Sequence, residues 1–208
     1  MIEELLAMLE MQEEILQFTH FTNEDAWELG KLLVSEIQRQ KLPVAVTIRL
    51  NNGYTVFRYA ANGTNIQNEN WMQRKFNTVR TLETSTLHAA MLLKKSEQTL
   101  ADWFLDEKEY AAAGGGFPIR IEEVGVIGAV IVSGLPHFAD HDLIVKCISR
   151  YLHVDEVPRI RGPLGTEFSG FKKPENSVPT GHHGGSALNC ICSPVIGCRK
   201  ASFQECRA

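Results

Sequence analysis

Three side chains that can bind a metal, move a proton or hold an anion lie close together late in the chain. They are His137, Asp140 and His141, spaced H-x-x-D-H, and they follow an apolar segment that ends at Ser133. In a helix, residues four apart share a face, but two imidazoles make a closed metal site only with further ligands. The spacing identifies none, so we predict no metal. Either Asp140 caps a helix while the imidazoles face solvent, or some of these residues contact a ligand.

Three consecutive glycines precede this segment, at residues 114–116, and Phe117 follows them. A phosphate-binding loop needs a strand before its glycines and a helix after them. Here a predicted helix comes first and a predicted strand follows, which argues against nucleotide binding. The glycines then form a tight turn that needs positive φ, or they let a ligand approach the backbone. In the second case Gly115, Gly116 and Phe117 belong to a binding site.

A basic pair, Arg74 and Lys75, follows Trp71 in a segment with helical periodicity. One interpretation is a core aromatic next to two solvated cations. The other is an anion contact, because a guanidinium pairs well with a carboxylate or a propionate. Both interpretations remain open from the residues alone.

Several classes of protein are disfavoured by the sequence. It contains no G-x-S-x-G and no H-E-x-x-H, and Ser133-Gly134 is followed by Leu-Pro instead of the helix of a nucleophile elbow. The formal net charge is −4, so no basic field favours nucleic acid. No stretch of 18 consecutive apolar residues predicts a membrane span. The acidic N-terminus is unlike a secretory signal, so a cytoplasmic location is expected.

The remaining pattern predicts helices packed on an antiparallel sheet. Strands are predicted over residues 44–50, 54–60, 117–121 and 124–133, paired as two hairpins, with a short edge strand over residues 16–21. Helices are predicted over residues 2–14, 68–95 and 99–110, from Thr22 through Ile37, and after His137. A Thr22–Asp25 capping box starts the second helix. Hairpins with interspersed helices indicate the α+β class.

Residues 114–142, GGGFPIRIEEVGVIGAVIVSGLPHFADHD, together with the aromatic-x-x-Arg-Lys run at residues 71–75, resemble the GlcG/HbpS-like, or haem-degrading, domain superfamily. The likeness is greatest to a short branch whose members mostly lack an assigned function. The resemblance covers about residues 1–158. It implies a five-stranded antiparallel sheet of profilin-like or PAS-like appearance, flanked by helices, and assembly into a homodimer or larger ring.

The resemblance also places a ligand site where the glycine turn, the end of the last strand and the start of the last helix converge. The candidate ligand-binding residues are Arg74, Lys75, Gly115, Gly116, Phe117, Ser133, His137, Asp140 and His141. The implied function is binding of a small molecule or haem; whether the protein is an enzyme stays open. The alternative is a non-catalytic oligomeric scaffold or adaptor, and a haem titration separates the two.

The domain is expected to end near residue 160. Residues 161–208 contain 16 Gly, Pro or Ser among 48 and show no sustained helix or strand period. Such a composition buries too little apolar surface to offset the entropy of ordering, so we predict a flexible or non-native tail. Four cysteines lie there, and their spacing does not match a zinc finger or ribbon: Cys190, Cys192, Cys198 and Cys206. Cys147, by contrast, is expected to be a small buried hydrophobe.

Overall fold

Four antiparallel strands form the central sheet of the computed structural model, which describes residues 2–160. The strands are β1 (Ala45–Leu50), β2 (Thr55–Ala60), β3 (Gly116–Ile121) and β4 (Gly125–Ser133). Their order across the sheet is β2-β1-β4-β3. Both predicted hairpins are present, and β4 pairs with β1 to join them. The predicted α+β class with an antiparallel sheet is confirmed.

Helices cover both faces of the sheet. They are α1 (Ile2–Ile15), α2 (Asn23–Gln40), α3 (Ile66–Leu82), α4 (Thr86–Ser96) and α5 (His137–Tyr151), with one 3-10 turn at Ala101–Trp103. Helices α2 and α5 pack together beneath one face, α3 lies on the other face, and α1 packs on α4. Within residues 2–160, no helix has the length and hydropathy needed to cross a bilayer.

The predicted edge strand over residues 16–21 is present as a single bridge. Phe18 pairs in parallel with Ile121 of β3, donating its N–H to the Arg120 carbonyl at 2.8 Å and accepting from the Glu122 N–H at 3.0 Å. The bridge lies in the seven-residue connection between α1, which ends at Ile15, and α2, which begins at Asn23. The described residues therefore form four strands, and the fifth position of the expected sheet holds one bridge.

The predicted long helix over residues 68–95 was wrong. Helix α3 ends at Leu82, because its C-cap Glu83 takes a left-handed conformation with φ 54°. Ser85 then caps the start of α4 by accepting from the His88 N–H at 3.2 Å. Apolar periodicity continues on both sides of this break, and neither glycine nor proline marks it. A serine at an N-cap position was the available signal.

The predicted helix over residues 99–110 was also wrong, although its first turn exists. The Asp102 carboxylate accepts from the N–H and the hydroxyl of Thr99 at 2.7 and 2.8 Å. The turn stops at Phe104, whose φ is 60°. The following chain directs carbonyls toward α3: the Glu109 carbonyl accepts from Asn77 at 2.8 Å. Hydrogen bonds from side chains of α3 thus take the place of the backbone hydrogen bonds that a helix would make here.

The largest core lies between the sheet and the α2–α5 pair. The α2 face predicted from its periodicity is fully buried there: Ala26, Leu29, Leu33 and Ile37 are all at most 1% exposed. Cys147 of α5 joins this core, and burial raises the pKa of its thiol to about 12, so it is a packing residue. Glu36 connects the two helices, because its buried carboxylate accepts from Lys146 at 2.7 Å as well as from Arg39.

The chain after α5 packs back against α1 and α4. Ile160 packs into the cluster between α1 and α4, and the Pro158 carbonyl accepts from the Gln12 amide at 2.6 Å. A cut directly after Pro158 would remove Ile160, so the folded unit includes residue 160.

A chain that ends at Ile160 should unfold within about 2 °C of the full chain, because the composition of residues 161–208 predicts little packing. A chain that ends at Val157 should lose about 10 °C, since it leaves the Gln12 amide unpaired and removes the buried Ile160 side chain. Differential scanning calorimetry measures both. A large loss for the longer chain would show that the tail contributes to the fold.

Candidate functional site

A buried ion pair lies at the centre of the predicted site. Lys75 of α3 donates to the Asp140 carboxylate of α5 at 2.9 Å and to the Val132 carbonyl of β4 at 2.8 Å. The two side chains are only 4% and 2% exposed. One ammonium thus joins α3, β4 and α5 at the end of the sheet. The sequence singled out both residues as ligand contacts, whereas the structure pairs them with each other.

Asp140 also organises the entry to α5. Its second carboxylate oxygen accepts from the Leu135 N–H at 2.9 Å, and the N-cap residue Pro136 makes no side-chain cap hydrogen bond. Burial raises the pKa of Asp140 to about 6 even though Lys75 and the backbone N–H groups oppose that change. Burial likewise lowers the pKa of Lys75, against the attraction of Asp140. Little water therefore reaches the ion pair, and its hydrogen bonds to Val132 and Leu135 hold it in place.

The glycine turn packs against this ion pair. Gly115 has φ 113°, and a Cβ there would contact the Lys75 ammonium, the Val132 carbonyl and the side chain of Asp140. Its own carbonyl accepts from the Val132 N–H at 2.7 Å. The next N–H, of Gly116, donates to the Thr86 hydroxyl at 2.9 Å. The protein's own groups occupy the space that a side chain would need, which supports a tight turn with positive φ.

His141 lies below the turn and is completely buried. Its Nε2 is 2.8 Å from the Gln12 Oε1, and the Gln12 amide nitrogen donates to the Pro158 carbonyl. Because a carbonyl can only accept, the Pro158 bond fixes the orientation of the amide, and His141 must donate from Nε2. Its Nδ1 is then an unprotonated acceptor without a partner among the described residues. Burial lowers the pKa of His141 to about 4.

A second polar group adjoins His141 between α1 and α4. The Glu13 carboxylate accepts from the Ser85 N–H and the Thr84 hydroxyl at 2.8 Å, and lies 3.2 Å from His88 Nδ1. Burial opposes ionisation, but the bonds from His88 and Ser85 prevail and lower the pKa of Glu13. Gln12 and Glu13 were not singled out from the sequence; polar residues inside an amphipathic helix were the only signal.

Two of the predicted residues reach solvent. His137 begins α5 and is exposed, and its ring lies 4.4 Å from that of Phe138. No hydrogen bond to its ring nitrogens is found within residues 2–160. Burial, followed by repulsion from Lys75 and Lys94, lowers the pKa of His137. Its imidazole is therefore neutral near pH 7.

Arg74 is partly exposed on α3, one residue before Lys75. Its Nε donates to the Tyr110 carbonyl at 3.2 Å, and its guanidinium stacks 4.5 Å from the centre of the Trp71 ring. Trp71 is 40% exposed, so it is not the core aromatic of the simpler sequence interpretation. An immobilised cation with an exposed aromatic ring suits contact with a flat anionic ligand.

The predicted site residues thus separate into an interior set and a surface pair. The interior set is buried: Lys75, Gly115, Gly116, Phe117, Ser133, Asp140 and His141. The surface pair is Arg74 and His137. No cluster of three His, Cys, Asp or Glu side chains with metal-binding geometry occurs among residues 2–160. The interior residues can hold the two surface side chains in place. Arg74 can contact an anion, and the His137 imidazole can bind a metal ion that has an open coordination position.

The Lys75→Met variant should destabilise the protein by about 3–5 kcal/mol, because Asp140 becomes an uncompensated buried carboxylate. The double variant Lys75→Met/Asp140→Asn should be more stable than Lys75→Met, since the amide still accepts from Leu135 and carries no charge. Urea unfolding of both variants and of Asp140→Asn gives the coupling energy. Additive losses would show that the pair is not coupled.

Acid should destabilise the fold through His141. The folded-state pKa of about 4 lies below the ordinary value, so its contribution is complete above about pH 6.5 and is lost as pH falls through 4. The difference corresponds to about 3 kcal/mol. His141→Gln keeps a donor for Gln12 and should flatten the stability profile between pH 7 and pH 4, measured by urea unfolding. The matched control, His20→Gln, makes the same replacement at an exposed histidine.

The chain resembles proteins of one family along most of its described length. The family model for "Haem degrading protein HbpS-like" matches residues 21–149. A UPF0303 protein of Yersinia enterocolitica is 36% identical over 152 residues, which are 73% of this chain and 90% of that protein.

Solved structures agree with this relationship. The crystal structure of the Ybr137w protein superposes with a TM-score of 0.66 at 30% identity, covering 71% of this chain and 88% of that one. The PduOC:Heme complex superposes with a TM-score of 0.53 at 19% identity over 62% of this chain and 93% of that one, a likeness of fold alone. Because the family model spans more than half of the chain and the UPF0303 relative matches along most of its own length, the chain belongs to the HbpS-like family.

Proposed function

We propose that this protein binds haem, or another flat anionic small molecule, on the surface where His137 reaches solvent beside the glycine turn, with Arg74 of α3 as a further anion contact. The observation that carries the proposal is the placement of His137. Its imidazole is exposed at the first residue of α5, directly beside the turn, because Gly114 lies against the His137 backbone carbonyl. An imidazole in this position can serve as an axial ligand to iron.

The charge around His137 suits this ligand. Its lowered pKa keeps the ring neutral, as iron coordination requires. Lys94 is close enough to contribute to that pKa, and Arg74 is held by Tyr110, so cations are available for propionates. The free N–H groups at the start of α5 add a partial positive charge.

The interior residues take a positioning role in this proposal. Asp140 holds the turn before α5 through Leu135, and Lys75 ties Asp140 to α3 and β4. These bonds fix the first turn of the helix and therefore the direction of His137. Gly115 permits the close packing that this arrangement needs. His141 supports the helix from below through Gln12.

The family adds support at a coarser level. The matching family is named for haem degradation, and a structural neighbour is described as a complex with haem. That neighbour shares the fold at 19% identity, so its ligand is a proposal for this chain. Any degrading chemistry would need an oxidant and a reductant, and the proposal is limited to binding.

The second candidate function is a non-catalytic oligomeric scaffold or adaptor, with a homodimer or larger ring as its form. Large exposed apolar side chains favour it: Phe104 is 98% exposed and Trp27 is 53% exposed. Exposed aromatic residues are enriched at protein interfaces. A scaffold with no ligand predicts no spectral change when haem is added, so one titration separates the two functions.

Haem added to the full chain should give a Soret band with imidazole ligation, and His137→Ala should abolish that spectrum while leaving the circular dichroism unchanged. Arg74→Gln should weaken binding about tenfold, because one charge-assisted hydrogen bond to a propionate is lost. His137 is replaced alone, since His141 is buried and its loss would disturb the fold.

The matched control is His20→Ala, which removes another exposed histidine and should leave the titration unchanged. The titrations are repeated in a full-length background whose tail histidines and cysteines are replaced by serine, because those groups can bind haem adventitiously: His182, His183, Cys190, Cys192, Cys198 and Cys206. Equal affinity for the parent and His137→Ala in that background would contradict the proposal.

A further inference from the structure

A group of cations surrounds one buried carboxylate near the C-terminal ends of α2 and α5. The Glu36 side chain is only 2% exposed, and three cations face it: Arg39, Lys146 and Arg150. Arg39 follows Glu36 by three residues on α2, whereas Lys146 and Arg150 are four residues apart and therefore share one face of α5. The cluster carries more positive than negative charge.

Glu36 is satisfied without the third cation. Arg39 donates to both carboxylate oxygens, from Nε at 3.1 Å and from Nη2 at 2.6 Å, and Lys146 donates to Oε1 at 2.7 Å. The hydrogen bond from Arg39 lowers the pKa of Glu36 to about 2 although burial opposes ionisation. The carboxylate is therefore charged at neutral pH and holds these two cations in place.

Arg150 is the cation that the carboxylate does not use. Its Nη1 lies 3.7 Å from Glu36 Oε2, which is too far for a hydrogen bond, and its side chain is exposed. The guanidinium makes no hydrogen bond to any group within residues 2–160. Its free donors lie beside two cations of fixed position, an arrangement that suits a multiply charged anion. We propose that Arg150, Lys146 and Arg39 bind the phosphate dianion of a small phosphorylated molecule.

The charge of the cluster favours a dianion. Three cations and one carboxylate leave a formal charge of +2, and the C-terminal ends of α2 and α5 offset about half a charge each. Asp142 does not reduce the remainder, because its carboxylate is paired with Arg159 at 2.9 Å. A phosphate dianion gains more from this field than chloride does, and its three oxygens can accept from all three cations.

The size of the cluster and the charge of the chain favour a small ligand over a polyanion. Three converging side chains match one phosphate group, and the formal net charge of −4 repels nucleic acid and anionic bilayers. His137 begins α5, so it lies about 20 Å from Arg150 along the helix axis. The inference therefore does not rest on haem binding.

The Arg150→Gln variant tests the site without disturbing the fold, because Arg150 makes no hydrogen bond that stabilises it. NMR titration of the full chain with glycerol 3-phosphate at constant ionic strength should shift the Arg39 Nε–Hε signal, with a dissociation constant on the order of 1 mM. Arg150→Gln should weaken this binding about tenfold, since one charge-assisted hydrogen bond is lost. The matched control, Arg80→Gln, removes an exposed arginine of α3 and should leave the affinity unchanged.

A second experiment separates a free phosphate ester from a lipid headgroup. Phosphatidic acid in phosphatidylcholine vesicles presents the same phosphate monoester on a membrane surface. Sedimentation with these vesicles should recover no more protein than sedimentation with phosphatidylcholine alone. Preferential recovery with phosphatidic acid would overturn the assignment to a small molecule.

Three further results would overturn the inference. One is the absence of saturable shifts on addition of glycerol 3-phosphate. Another is equal weakening by Arg80→Gln and Arg150→Gln, which would indicate a response to overall charge. The third is the same set of shifts from sodium chloride, which would indicate screening alone. Haem affinity should be the same in Arg150→Gln and in the parent, so failure of the haem proposal leaves this test unaffected.

Discussion

The buried contact between Lys75 and Asp140 is the interaction on which the architecture at this end of the sheet depends. A buried charge is tolerated only when it is paired and hydrogen-bonded, so α3, β4 and α5 must meet at one point. Asp140 also restrains the start of α5, because its carboxylate accepts a hydrogen bond from the Leu135 N–H. The glycine turn follows from the same contact, because a side chain at Gly115 would displace the pair.

This constraint also explains why one short motif supplies both a buried and an exposed imidazole. Asp140 draws the first turn of α5 into the protein, so His141 lies beneath it in contact with Gln12. His137, at the first helical position, stays on the surface. Two residues of one helical face thus have opposite environments, and only the outer one is positioned to meet a ligand. Within the H-x-x-D-H motif, Asp140 and His141 therefore pack in the interior, and His137 is exposed to solvent.

A second set of buried polar contacts connects α1 and the segment after α5 to the first turns of α5. The Pro158 carbonyl fixes the Gln12 amide, and that amide fixes the tautomer of His141. Residues after α5 consequently influence the protonation of a group near the proposed ligand surface. Glu13 extends the layer to the α3–α4 break by accepting from Ser85. The same contacts that place the helices also set the electrostatics of the site.

Local sequence patterns determined much of the fold. Alternation over residues 44–50 and apolar spacing from Ala26 to Ile37 fix which faces are buried, and the Thr22–Asp25 box starts α2. These features depend on neighbours within a few residues, so they can be read without a structure. The α3–α4 break was missed because apolar periodicity continues through it.

Only the tertiary structure decided the partners of the polar residues. Lys75 and Asp140 are 65 positions apart, and Gln12 and His141 are 129 apart. The sequence marked Lys75, Asp140 and His141 as residues able to do chemistry. It could not show which buried group each of them contacts, because the partner of a buried polar side chain is set by how distant elements pack. Their burial, and the exposure of His137, follow from that packing.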